Sequence, residues 1–296
     1  MLRLKMPLSS LPAMNFRRTA ISVRYEGQGK HNGDWGKNML DYILQLIIKT
    51  WVMAEMEVRK LLHDPTELIT RAIQPILWLG IFGEAMSKIR AIPTQGFTYL
   101  QFITPGILTQ SVTFVAIFYG LAIIWERDMG LLQKILVTPT PRLALVWGKM
   151  ISAGIRGLSQ AIIIFFFTLI LQIHLRITLF SILGVVIITM LGASFFTGLS
   201  MIIASIVKTR ERFMGIGQII TLPLFFASNA IYPISIMPSW LQVVANMNPL
   251  SYMVDGLRAL LVTGNVSRLP FDIVILIIVT FAISFLSAYM YPKVAV

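Results

Sequence analysis

Four stretches of the chain, 91–125, 177–207, 213–254 and 273–292, hold no Asp, Glu, Lys or Arg. About 20 apolar residues in a helix cross the hydrocarbon core of a bilayer. Uninterrupted runs of that length leave little room for any other fold class. Composition agrees, with 56% hydrophobic and only 13% charged residues, where a soluble domain carries about 25% charged. The fold expected is all-α and integral to a membrane.

Six spans are predicted, at roughly 68–87, 99–125, 144–172, 178–206, 213–233 and 271–291. The first holds Arg71 and Glu84 near its ends, and the third holds Lys149 and Arg156 early on. Those side chains are expected to snorkel, or the membrane part of the third span to begin near Gly157. The run 213–254 is too long for one helix and too short for two spans with a loop. Pro233, Pro238 and Pro249 divide it, so span five is read as followed by short helices in, or dipping into, the outer leaflet.

Residues 1–49 read as a tail and linker, and 50–296 as the transmembrane domain. Residues 1–25 carry Arg3, Lys5, Arg17, Arg18 and Arg24 and no acid. They read either as an organellar transit peptide or as a basic cytoplasmic tail beside anionic lipid. "GQGKHNGDWGKN" (27–38), with four Gly, reads as a flexible linker. "TWVMAEMEVRKLLHDP" (50–65) reads as an amphipathic interfacial helix that Pro65 ends. Trp51, Ala54, Val58, Leu61 and Leu62 share one face of it, and Glu55 and Arg59 form an i,i+4 pair on the other.

Six spans put both termini on one side, and the net charge of +12 is unevenly shared. On that side lie ten Lys and Arg in 1–67, four in 126–149, three in 208–212, and Lys293. The opposite side has Lys88, Arg90, Arg176, Arg258 and Arg268. Both termini are therefore expected in the cytoplasm. Basicity spread through loops in this way does not point to nucleic acid.

The loop 126–142 becomes cytoplasmic by the same argument. "ERDMGLLQKILVTP" places Leu131, Leu132, Ile135 and Leu136 on one side and Arg127, Asp128 and Lys134 on the other. A helix of two to three turns is marginal alone in water and needs a surface to dock on. It is either an ordinary basic loop or a lever pushed by a partner.

"WERDMGLLQKILVTPTPRLALVWGKM" (125–150) resembles the signature region of ABC-2 type transporter permeases. The matching residues are Glu126-Arg127-Asp128, Gly130, Leu131, Thr138-Pro139 and Gly148-Lys149. "NPLSYMVDGLR" (248–258) resembles the family's second signature. The resemblance covers about 50–292, and the daunorubicin-resistance type is the most similar subgroup. It implies the permease subunit of an ATP-driven exporter, working as a dimer of permease chains with separate ATPase subunits. Glu126, Arg127, Asp128 and Gly130, with Glu55 and Arg59, would form the coupling element. "KTRER" (208–212) is a weaker contact. Asn248, Pro249, Asp255 and Arg258 would shape the outer gate region, although Asp255 and Arg258 also read as a local i,i+3 surface pair. The expected cargo is drug-like or lipid-like; polysaccharide or lipid-linked glycan export is the alternative. The expected site is the plasma membrane, or an organellar membrane if 1–25 is a transit peptide.

A phosphate-cradling loop has the form G-x-x-x-x-G-K-[ST]. The Gly-Lys pairs at 29–30, 36–37 and 148–149 lack both the earlier Gly and the following Ser or Thr. The chain is thus expected to be no enzyme itself and to hold no cofactor, with ATP and Mg on its partner. No Cys is present, and His31, His63 and His174 are far apart, so no metal site is expected. A secondary transporter fits poorly, since few acids lie within the spans and no inverted repeat is evident. A membrane enzyme lacks a catalytic set. Gln110, Gln160, Gln218 and Asn229 are polar within spans, and either line a path or bond between helices. "LGASFFTGLS" (191–200) reads as a close-packing surface, within the chain or between subunits.

Overall fold

The computed structural model describes residues 35–292 apart from 64–65, 90–93, 95, 138–139 and 208. The readings of 1–34, Pro65, Thr138-Pro139 and Lys208 lie outside the described residues. The chain divides into two units, 1–40 and 41–296. Among the described residues, all helices lie in the second unit except the start of the first.

Every regular element among the described residues is helical. Helix α1 (Trp35–His63) begins inside the Gly-rich stretch read as a linker. Beyond Gly36 the sequence is dominated by good helix formers, and they carry the helix through. Then come α2 (Thr66–Leu77), a π-helical turn (Trp78–Gly83) and α3 (Glu84–Ile89), which follow one another without a break. Next are α4 (Tyr99–Asp128), α5 (Leu131–Val137), α6 (Arg142–Ile170), α7 (Leu179–Ile206) and α8 (Arg210–Phe226). Last come a 3-10 turn (Ile234–Ile236), α9 (Ser239–Met247), α10 (Pro249–Arg258), a second π-helical turn (Ala259–Thr263) and α11 (Leu269–Met290).

Four helices, α4, α6, α7 and α11, are long and apolar enough to cross a membrane. They match four of the expected spans. The segment 68–87 is instead divided among α2, the π turn and α3. The segment 213–233 is cut short, because α8 stops at Phe226. Its last carbonyls are claimed by side chains: Ser228 Oγ donates to Phe225 O at 2.6 Å, Tyr232 Oη to Phe226 O at 2.7 Å, and Asn248 Nδ2 to Leu224 O at 2.7 Å. Free carbonyls at a helix end need such partners. The three prolines divide the following stretch as expected, each at or beside an element start.

Helix boundaries follow capping chemistry. Thr98 and Gln101 form a reciprocal capping box on α4, and Thr178 and Ser181 do so on α7. Asn248 Oδ1 accepts from Leu250 N at 3.0 Å and Pro249 occupies the first turn, which starts α10. Gly130 ends the α4 turn with φ +67, a left-handed conformation that only Gly adopts without cost.

Helix α4 is the central post. Within its most apolar window 78% of residues are buried, against 28% for α11. Helix α7 is fixed to its neighbours by hydroxyls: Ser200 Oγ donates to Ile117 O at 2.5 Å, and Ser287 Oγ of α11 donates to Gly198 O at 2.8 Å. The close packing read into 191–200 thus lies within the chain.

Helix α1 touches the bundle through Leu46, Thr50 and Ala54, all buried. Ile47, Ile48, Trp51 and Val52 point away and are exposed. Trp51 and Ala54 stand only about 60° apart around the helix, on the expected side, but Ala54 is buried and Trp51 is exposed. The side chains of Leu61 and Leu62 lie outside the described residues. Gly148 of α6 makes the contact possible: a Cβ there would lie 2.5 Å from Met53 Cβ and 3.2 Å from Thr50 O. Gly148→Ala is expected to push α1 off and lower stability by about 1–3 kcal/mol, the usual cost of overpacking. Thermal unfolding of the purified chain in detergent checks this.

Candidate functional site

Helix α4 presents Glu126, Arg127 and Asp128 in its last turn, and successive residues of a helix point about 100° apart. The three charges consequently have different fates. Glu126 turns inward, 4% exposed, and its Oε2 accepts from Lys149 Nζ of α6 at 2.8 Å. Lys149 is fully buried and Arg156 nearly so. Both stand over the Tyr119 ring, at 5.7 and 4.6 Å from its centroid, and a π face attracts cations. The expectation that Lys149 and Arg156 snorkel is overturned: an acid and an aromatic ring on α4 receive them instead.

Asp128 turns outward. Its Oδ2 accepts from Arg210 Nη2 at 2.8 Å and Nε at 3.1 Å, and its Oδ1 accepts from Arg127 Nη2 at 3.1 Å. Arg210, from the weaker candidate turn at 208–212, also lies 3.6 Å over the Trp125 ring. The ends of α4, α6 and α8 are thereby joined by one inward and one outward charge contact.

After the Gly130 turn, α5 docks on these same ends. Leu132 is fully buried in a cluster with Ile123, Leu145, Val146, Met150 and Met201. Lys134 and Val137 are exposed, as is Met129 just before the turn. The side chains of Ile135 and Leu136 lie outside the described residues. On α1, Glu55 and Arg59 form their expected pair at 2.6 Å, both exposed.

At the Tyr99 end of the bundle, Asn248 and Pro249 start α10 by the cap above. Arg258 is no surface residue. Its Nη2 donates to Asn229 O at 2.7 Å and to Phe102 O at 3.4 Å, its guanidinium lies 3.9 Å over the Phe102 ring, and Nη1 is 3.8 Å from Asp255 Oδ1. Asn229 Nδ2 donates to the same Asp255 oxygen. The local i,i+3 pair of Asp255 and Arg258 is present, not at the surface but as part of a latch that joins α10, α4 and the turn after α8.

Between α2, α4 and α8 lies a cavity of about 300 Å³ lined by Gln74, Gln110, Phe114, Phe118 and Gln218. Gln110 is buried, and neither amide atom has a hydrogen-bond partner. Buried polar groups are rarely left so. Gln160 Oε1 instead accepts from Ser111 Oγ at 3.0 Å. Of the four polar residues read as lying within spans, two line one cavity, one bonds between helices, and Asn229 belongs to the latch.

Sequence reasoning missed Trp125 as the seat of Arg210, Lys149 as the partner of Glu126, and Asp272 near the start of α11. The signal for Lys149 was partial: a Lys within an apolar run needs either water or an acid, and the run itself does not say which. Among the described residues no group of three His, Cys, Asp or Glu could hold a metal.

The ABC-2 type transporter family profile matches residues 48–262. The chain is 30% identical to a protein of Cyanophora paradoxa designated a putative transport permease, ycf38, over 72% of this chain and 74% of that one. It is 23% identical to the daunorubicin resistance ABC transporter permease protein DrrB1 of Streptomyces coeruleorubidus, over 67% and 70%. To the inner membrane transport permease YadH of Escherichia coli it is 25% identical, over 64% and 73%.

Removing one partner of a buried ion pair strands the other and costs about 3–5 kcal/mol. Glu126→Ala is expected to lose stability on that scale. The double change Glu126→Leu with Lys149→Met is expected to restore most of it, as read from melting curves of the purified variants.

Proposed function

The chain belongs to the ABC-2 type transporter family, and from that premise we propose that it is the permease subunit of an ATP-driven exporter. The family match over most of the bundle, on a chain with four membrane-length helices, carries this reading. A separate subunit binds ATP and Mg and hydrolyses the nucleotide. Two permease chains pair in the membrane. The cargo is amphipathic, drug-like or lipid-like; the drug-resistance name of one relative and the polar, aromatic cavity at Gln110 both support that class.

The remaining two crossings are made by the continuous helical run 66–89 and by α8 with the turn that follows it, giving six. Both termini face the cytoplasm of a plasma membrane, as the distribution of Lys and Arg supports. The Glu126 end is then the cytoplasmic end and the Tyr99 end the outer one. The exposed apolar face of α1 rests in the membrane interface.

The coupling element is the docked α4–α5 turn. Arg127, Asp128 and Gly130 shape its exposed side, and Met129, Lys134 and Val137 offer contact to the ATPase. Glu55 and Arg59 add a second point of contact on α1. Glu126 acts from within, by holding the turn on α6. Asn248, Pro249, Asp255 and Arg258 shape the outer gate.

The experiment is co-purification with a candidate ATP-binding cassette ATPase subunit, followed by cargo-stimulated ATP hydrolysis in proteoliposomes. Asp128→Ala is expected to lower the stimulated rate about tenfold, equivalent to about 1.4 kcal/mol of coupling, with the melting temperature little changed. Normal assembly and normal stimulated turnover in that variant would defeat the coupling assignment.

A further inference from the structure

The outer sides of α6, α7 and α11 follow one rule. Along the middle of each helix every exposed side chain is apolar, as with Ile162 and Phe166, Leu183 and Ile187, and Ile278 and Phe285. Helix α8 breaks the rule. Its exposed face runs through Glu211, Gly215, Gln218, Leu222 and Phe226, all within about 60° of Gly215 around the axis. Gln218 lies about 12 Å along that axis from Arg210. Hydrocarbon at that depth offers an amide no hydrogen bond.

Gly215 is equally out of place. Gly184, Gly192 and Gly198 of α7 make room for Leu260, Met253 and Met150 of other helical segments. A Cβ on Gly215 would meet nothing within 4 Å. Gly weakens a helix interior more than any residue but Pro, and nothing described inside the chain requires it at 215. The cavity at Gln110 accounts for the polarity of Gln218, which lines it, but Gly215 is not part of its wall.

Between membrane helices, small residues admit a close crossing and side-chain amides bond across it. The occupant that fits is a second copy of the chain. A carboxamide carries both donor and acceptor, so two Gln218 side chains related by a two-fold axis satisfy each other. Charge agrees. Glu211 and Arg212 are exposed at the start of α8, and successive residues point about 100° apart, so they flank the Gly215 line on opposite sides. A two-fold axis along the membrane normal puts Glu211 of each copy on the side that carries Arg212 of the other. A lipid tail meets neither requirement.

We propose that two copies of this chain pair through the outward face of α8, with Gly215 at the crossing, the Gln218 amides bonded to each other, and Glu211 of each copy beside Arg212 of the other. The proposal rests on the reading that α8 crosses the membrane and that two permease chains pair, and it adds the face by which they do so.

The chain has no Cys, so single Cys variants of the full chain carry no background. In proteoliposomes oxidised with copper phenanthroline, Gly215→Cys and Gln218→Cys are expected to form disulfide-linked dimers, and Phe166→Cys and Ile278→Cys are not. Pairing is then measured by single-molecule photobleaching of the fluorescently tagged chain at graded dilution in lipid. Gly215→Leu is expected to weaken it at least about tenfold, with no fall in melting temperature, because the added side chain meets nothing within its own chain. Gln218→Leu is expected to weaken it about fivefold, and this variant decides the matter should Gly215→Leu not fold. Glu211→Arg alone is expected to cost about threefold, and Glu211→Arg with Arg212→Glu to restore pairing. A chain that stays monomeric throughout overturns both the proposal and the pairing of permease chains. A dimer that cross-links at Phe166→Cys or Ile278→Cys and not on α8, or that is unmoved by Gly215→Leu and Gln218→Leu, overturns the proposal and leaves pairing intact.

Discussion

An ion removed from water costs several kcal/mol unless an opposite charge and hydrogen bonds receive it. The pairing of Glu126 with Lys149 satisfies that condition between α4 and α6, and much else is arranged around it. The Tyr119 ring lies against both Lys149 and Arg156. The turn at Gly130 starts where the pair has fixed the end of α4, and Leu132 drops into the cluster beside it. Asp128 is left on the outer side of the same turn, where Arg210 reaches it and draws in the start of α8. One inward contact thus determines which charges remain available at this end of the molecule.

The opposite end is built on the same principle with different groups. Arg258 is buried against an aromatic ring and two carbonyls, with Asp255 at the edge of its reach. Between these ends the helices are joined by hydroxyls bonded to carbonyls of neighbouring helices, and by small residues that allow close approach. Gln110, Asn229, Arg258 and Asp272 line cavities, and each carries a buried polar atom without a hydrogen-bond partner. Such atoms mark where a bound molecule or water belongs.

Much of this was legible in the residues. Long uncharged runs defined α4, α6, α7 and α11, because hydropathy over 20 residues is a strong signal. The prolines of 233–249 correctly divided the short helices, since each removes a donor. The end of α8 was not legible. It depends on Ser228, Tyr232 and Asn248 capping its carbonyls, and Asn248 comes from a later element. The sidedness of Lys149 and Arg156 was equally hidden, because an apolar run with two cations does not say whether they reach for water or for an acid on another helix. The close approach of α1 to α6 depends on Gly148, almost a hundred residues downstream. Periodicity reads one helix at a time, whereas these features belong to pairs. The candidate site followed the same division: the local pair of Glu55 and Arg59 stood as expected, while Glu126 and Arg258 found partners that only the fold supplies.

The two fastenings of α4 restrict how it can move. A hydrogen-bonded ion pair at 2.8 Å and a guanidinium 3.9 Å above a ring tolerate changes of angle better than changes of distance. Sliding α4 along its own axis by a single helical turn, about 5.4 Å, would break both at once. Tilting, or turning together with its neighbours, preserves both. Any push on the Gly130 turn would therefore reach the Tyr99 end, one helix length away, as rotation of a clamped rod and not as the travel of a piston.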